Sequence, residues 1–200
     1  MEEQLLELED LLRNGPVAAA TEAFDASPRP VEEESTSDES DEETGQLDLC
    51  LSQGHHISLH LRAAVGGGTG ARLWTGGMLL AEWLLQATKD GFLLKDKQVL
   101  ELGAGAAALP SIVAARCGAL VTATDGVEEV VEQMRRNVEQ NAPGMRCSLL
   151  PWLEAGRRRY TKKEQFDIVL FADGIYTERG GLLLADAVTA VLRPTGLLIG

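Results

Sequence analysis

The sequence predicts an α/β fold: a doubly wound parallel sheet, preceded by a β-hairpin and an acidic disordered N-terminal segment. Three observations predict it. From residue 97 onward, short apolar runs alternate with helical patterns, and strands apolar on both faces belong to a parallel sheet buried between helical layers. Leu47, Leu49, Leu51 and then Ile57, Leu59, Leu61 alternate with polar residues around Gln53-Gly54, the pattern of a half-buried hairpin. The net charge of −13 is concentrated: residues 1–46 hold 15 acidic residues and only Arg13 and Arg29 as bases. Residues 47–200 are therefore electroneutral, which argues against a general nucleic-acid binder.

The elements follow in order. Residues 1–15 read as a short amphipathic helix, with Leu5, Leu8 and Leu12 at helical spacing and Asn14-Gly15-Pro16 as its stop. Residues 16–46 read as an acidic disordered linker, because self-repelling charge with few apolar groups cannot build a core. The domain is expected over 47–200. His55, His56 and His60 lie in the hairpin with no further ligand signalled, so no metal is expected. Gly66-Gly67-Gly68-Thr69-Gly70 reads as a flexible connector. Thr75 is expected to cap a helix with Met78, Leu79, Trp83 and Leu84 on its core face, ending at Lys89-Asp90-Gly91.

Val99–Leu102 reads as the first parallel strand, residues 107–117 as a helix stopped by Gly118, and Leu120–Thr124 as the second strand. A helix over 127–140 presents Val127, Val130, Val131, Met134 and Val138 on one face. Cys147–Leu150 and Phe166–Ala172 are the third and fourth strands, 180–192 a helix, and Leu197-Leu198-Ile199 the opening of a fifth strand. No apolar run reaches the ~18–20 residues of a membrane span, and the N-terminus lacks a basic targeting start, so no membrane partner is expected. Cys50, Cys117 and Cys147 are far apart and suit a reducing cytosol. Arg157–Lys163 reads as a solvated loop; an acidic partner, a nuclear-import signal and the chain's own acidic linker are the alternatives.

The chemistry gathers at strand ends. Glu101-Leu102-Gly103-Ala104-Gly105 ends the first strand and enters a helix, where glycines admit close approach and helix amides lie free. Asp125 ends the second strand, where an acid can accept hydrogen bonds from ribose hydroxyls. This fits either NAD or S-adenosylmethionine. Three details favour the second. Glu101 would repel a pyrophosphate but suits an ammonium and a sulfonium. Trp152 can cover an adenine ring. Asp173-Gly174-Ile175-Tyr176 follows the fourth strand and so faces the same crevice.

With Arg72-Leu73-Trp74, Val99–Gly105, Val121–Asp125, Pro151-Trp152 and Phe166–Tyr176 in view, residues 72–200 resemble the class I, seven-strand methyltransferases, a Rossmann-like fold. Among them they resemble methyltransferase family 16, the protein-lysine methyltransferases acting on translation factors, chaperones and calmodulin. The glycine turn is shared by many methyltransferases; Trp74, Trp152 and an Asp-x-x-Tyr after the fourth strand are more specific. The resemblance implies S-adenosylmethionine flanked by Trp74 and Trp152. Glu101, Gly103, Ala104 and Gly105 would hold its methionine end, Asp125 its ribose, and Ala172 would lie against it. Asp173 and Tyr176 would be the catalytic residues of an acceptor-lysine channel. The implied activity is methyl transfer to a lysine of a protein substrate. A different side chain or a small molecule as acceptor, an inactive cofactor-binding module and an NAD-dependent oxidoreductase are the alternatives.

Two departures from the family pattern follow. Ala106-Ala107-Ala108-Leu109 is one residue longer than usual, which implies a local bulge at the helix entry. The chain also ends at Gly200 in or just after the fifth strand. The family has a further helix and two further strands, so the expectation is a domain lacking its last strands.

Overall fold

A computed structural model describes residues 44–62 and 69–200. The helix expected over 1–15, the acidic linker before Thr44 and the connector glycines Gly66, Gly67 and Gly68 lie outside them. The described chain runs β1 (Thr44–Leu51), β2 (His55–Arg62), α1 (Thr75–Lys89), β3 (Gln98–Leu102), α2 (Leu109–Arg116), β4 (Leu120–Asp125), α3 (Glu128–Asn141), β5 (Arg146–Leu149), α4 (Trp152–Arg157), β6 (Phe166–Leu170), α5 (Glu178–Val191) and β7 (Leu192–Ile199). The five strands β5-β4-β3-β6-β7 form one parallel sheet. Its order reverses between β3 and β6, where open sheets of this kind hold ligands at the carboxyl ends of their strands.

The two faces have separate cores. On one, Val99, Val121 and Ala123 meet Leu84, Ile112, Met134 and the hairpin's Leu49, Leu51, Ile57, Leu59 and Leu61. On the other, Leu100, Leu102 and Val169 meet Ala155 of α4 and Leu184, Ala187 and Val191 of α5. Each fully buried aliphatic side chain contributes roughly 1.5–3 kcal/mol, so both sets are needed to hold a sheet flat against two layers.

The hairpin forms where the alternation predicts, with Leu51 paired to His55 across a turn that holds Gln53 and Gly54 at positive φ. It is fastened to α3 by two asparagines. The Asn137 carboxamide accepts from the His60 N–H at 2.7 Å and donates to the His60 carbonyl at 3.0 Å. Asn141 does the same at Ser58, at 3.1 and 2.6 Å. Residues two apart on a strand are ~6.6 Å apart and residues four apart on a helix ~6 Å, so the two spacings match. Asn137 also donates to the Ala106 carbonyl at 2.9 Å, which ties the hairpin to the turn after β3.

Several expectations are corrected. Thr75 is the first helical residue of α1, not its cap; Trp74 occupies the N-cap position and offers no side-chain cap. Trp83 is 47% exposed, leaning on Phe92 rather than entering the core. The buried face of α1 is Met78, Leu80, Ala81, Leu84 and Leu85, because α1 is covered by both the hairpin and α2. Val127 is exposed at the N-cap of α3. Residues 152–157 form the short helix α4, where the sequence offered no helical pattern. The last strand begins at Leu192, and its register shifts between Phe166 and Ile168, where Arg193-Pro194-Thr195-Gly196 is accommodated.

Candidate functional site

The carboxyl ends of β3, β4, β5 and β6 open into a cleft of about 500 Å³. Its lining includes every residue singled out in the sequence: Trp74, Glu101, Gly103, Ala104, Gly105, Asp125, Trp152, Ala172, Asp173 and Tyr176. The fold thus brings together groups spread over a hundred positions.

The floor is the turn after β3. Gly103 and Gly105 have φ of +74° and +64°, a conformation that side chains rarely tolerate. A Cβ at Gly103 would come within 3.2 Å of Trp152, and one at Gly105 within 3.1 Å of the Gly70 carbonyl. The Ala104 N–H donates to Thr124 and the Ala106 N–H to Gly70, each at 2.8 Å. The longer helix entry is taken up here: Ala108, the N-cap residue of α2, stands in left-handed backbone at φ +43°.

Glu101 lies beneath this turn, only 2% exposed. Its Oε2 accepts from the Ser111 N–H at 2.9 Å and the Ser111 hydroxyl at 2.5 Å. The reason lies in α2, which starts Ala108-Leu109-Pro110-Ser111 with no side-chain cap of its own. Ser111 carries a backbone donor that the first turn leaves open, and the carboxylate supplies the acceptor. Burial, with a smaller push from nearby Asp125, raises the Glu101 carboxyl to about 7 against the Ser111 donors. Asp125 accepts from the Gly105 N–H and the Val127 N–H, each at 3.1 Å. It too is raised by burial, partly offset by these amides. Two acids in one cleft, Glu101 buried and Asp125 half-buried, favour a cationic occupant.

The walls are aromatic. Trp152 opens α4 and stands edge-on to Phe171, ring centroids 5.9 Å apart at 70°. A Cβ at Gly174 would strike both rings. Trp74 faces Tyr176 across the mouth at 6.4 Å and 56°. Asp173, at φ +50°, lines the same cleft and accepts the Gly76 N–H through Oδ2. This is the cap that α1 lacks locally, supplied from 97 residues away; a Cβ at Gly76 would displace that carboxylate. Asp173 and Tyr176 are exposed, unlike Glu101.

The sequence reasoning missed three groups that build the site. Asn137 and Gly76 act through partners 77 and 97 residues away and Ser111 through one ten residues away; a serine or asparagine within a helical pattern was the available signal. Among the described residues no cluster of three or more histidine, cysteine or acidic side chains could hold a metal, and no helix is long and apolar enough to cross a membrane.

The reversed strand order, the glycine turn and the acids at successive strand ends define a class I methyltransferase fold. The chain belongs to the lysine methyltransferase family, whose sequence profile matches residues 53–199. It is 30% identical over 148 residues to the EEF1A lysine methyltransferase 3 of Mus musculus, covering 72% of this chain and 60% of that protein. It is 32% identical over 141 residues to the protein-lysine N-methyltransferase EFM3 of Chaetomium thermophilum, covering 65% of this chain and 41% of the relative. The chain thus spans between about two fifths and three fifths of these relatives. A solved S-adenosylmethionine-dependent methyltransferase from Agrobacterium tumefaciens shares the fold, with a TM-score of 0.58 at 21% identity over 80% of this chain and 53% of that one. S-adenosylmethionine is the cofactor of this class. The cleft fits it: glycines that leave room, a buried acid beneath them suited to its cationic end, a second acid at the end of β4 suited to its ribose, and aromatic walls.

Proposed function

We propose that the protein transfers a methyl group from S-adenosylmethionine to the side-chain amine of a lysine in a protein substrate. The observation that carries this reading is that Glu101, the Gly103–Gly105 turn, Asp125, Asp173 and Tyr176 all line one cleft. The family's description and the names of both relatives support lysine as the acceptor. Because the first relative is named for EEF1A, we take a translation factor as the first substrate to test.

The roles follow from position. Glu101 receives the cationic methionine end, Gly103, Ala104 and Gly105 let it approach the backbone, and Asp125 takes the ribose hydroxyls. Trp152 and Ala172 bound the adenine side, and Trp74 bounds the mouth. Bound S-adenosylmethionine supplies a methyl group already activated on a sulfonium, so placement of the acceptor accounts for much of the acceleration. The acceptor ammonium must first lose a proton, which costs roughly 4–5 kcal/mol at pH 7. Asp173 does not ease that loss, since a carboxylate stabilises the ammonium. With Oδ2 committed to Gly76, it captures and orients the acceptor through Oδ1, and the Tyr176 ring faces the cation.

Incubation of the full chain with radiolabelled S-adenosylmethionine and a proteome extract, with purified EEF1A in parallel, tests the reading. Hydrolysis should return label as methyllysine. Label in methylarginine or methylhistidine would overturn the acceptor, and cofactor binding without any label would overturn the enzymatic reading.

A further inference from the structure

The strongest unassigned feature is Ser111. It is fully buried, sits in the first turn of α2, and spends both its donors on one oxygen of Glu101. The other oxygen, Oε1, makes no hydrogen bond to the described residues, and Glu101 lines the cleft. A carboxylate with one oxygen held from behind and the other facing a ligand cavity has a fixed direction. Without the hydroxyl it keeps only the backbone amide, and can rotate or take up a proton.

We propose that Ser111 is a positioning residue of the cofactor site: it clamps Oε2 of Glu101 so that Oε1 is presented to the α-ammonium of S-adenosylmethionine. The inference rests on the cofactor reading given above. It also has an electrostatic side. Burial and Asp125 both work against ionisation of Glu101, and the two hydrogen bonds from Ser111 work for it. The charged and titratable groups facing the cleft from the surrounding elements are Arg72, Asp125, Asp173 and Tyr176. Of these, Asp125 on the neighbouring strand is the charge that bears on Glu101. Ser111 is therefore the main group that keeps the carboxylate charged when the site is empty. Loss of its hydroxyl should raise the pH at which Glu101 can attract a cation.

The test is calorimetric binding of S-adenosylhomocysteine, which carries the same α-ammonium, to the full chain between mildly acidic and alkaline pH. Wild-type affinity should rise as Glu101 ionises. Ser111→Ala should bind about tenfold more weakly at pH 7, and its rise should move to higher pH, so that the two proteins converge under alkaline conditions. In a Glu101→Gln background, Ser111→Ala should cost little more, because both act on one contact. A loss equal at every pH, or additive with Glu101→Gln, would assign Ser111 a purely structural role and overturn the proposal. Should Ser111→Ala fail to fold, Ser111→Cys keeps the volume and a weak donor; intermediate affinity is expected, and unchanged affinity overturns the proposal. Failure of the wild-type protein to bind S-adenosylhomocysteine at any pH would instead strike the cofactor reading itself.

Discussion

Two acids in one cleft, Glu101 and Asp173, do the same local job in opposite surroundings. Each accepts an amide from the first turn of a helix that has no side-chain cap of its own, Glu101 at α2 and Asp173 at α1. Glu101 is buried and Asp173 exposed. Burial makes the first strongly dependent on its neighbours, whereas water screens the second and leaves it free to meet an incoming chain. On the proposed function, the difference suits the buried acid to a small, constant ligand and the exposed acid to a large, variable one.

Asp173→Ala is the largest way to break this contrast. Methyl transfer should fall by about a thousandfold or more, while S-adenosylhomocysteine binding, measured calorimetrically, stays near wild type. Collapse of cofactor affinity with transfer retained would assign Asp173 to the cofactor instead.

Asn137→Ala tests what supports the surroundings of the buried acid. It removes the side-chain partner of the His60 N–H and of the Ala106 carbonyl, and one of the two side-chain donors to the His60 carbonyl, which keeps Gln133. Stability should drop by about 2–4 kcal/mol in urea unfolding. A loss below about 1 kcal/mol would show that the hairpin docks through its leucines alone.

Glu101→Gln sharpens the comparison through pH. In the ligand-free protein the folded-state value of about 7 lies above the ordinary 4.5. The folded chain therefore holds that proton more tightly than the unfolded one. The stabilisation is full below about pH 4.5 and is lost as pH rises through about 7. The variant removes this titration. Near pH 8 it should be about 1–3 kcal/mol more stable than wild type without ligand, yet gain less from S-adenosylhomocysteine. Thermal unfolding with and without that ligand reads both. A ligand-free variant less stable than wild type at pH 8 would mean that Glu101 is not held at a cost.

Thr75→Ala gives the smallest effect. If Asp173 caps α1, the change should stay within about 0.5 kcal/mol in unfolding experiments; a loss of about 1 kcal/mol would return the cap to Thr75.

Legibility from sequence followed the range of the interactions. β3, β4 and β6 are short, mostly apolar runs between helical patterns, and the hairpin alternates with period two, so local patterning was enough. The cleft was legible because its residues sit at strand ends, where a parallel sheet places ligands. What escaped was set by contacts distant in sequence. Trp83 fits the helical period of α1, but the hairpin and α2 turn that helix so that Leu80 and Leu85 face inward instead. Six residues of α4 are too few for a periodic signal. Asn137, Asn141 and Ser111 carry no signal of their own until their partners are known. The left-handed Ala108 and Asp173 have no signature in residue type, since neither is glycine.

The asparagine pair on α3 has a consequence for association. A strand's outer rim of amides and carbonyls is a template on which another chain can crystallise as a further strand. On β2 that rim is already engaged at Ser58 and His60 by side chains projecting from a helix. A helix cannot itself be extended into a growing ribbon, so the hairpin is closed to edge-to-edge polymerisation on that side without a further strand.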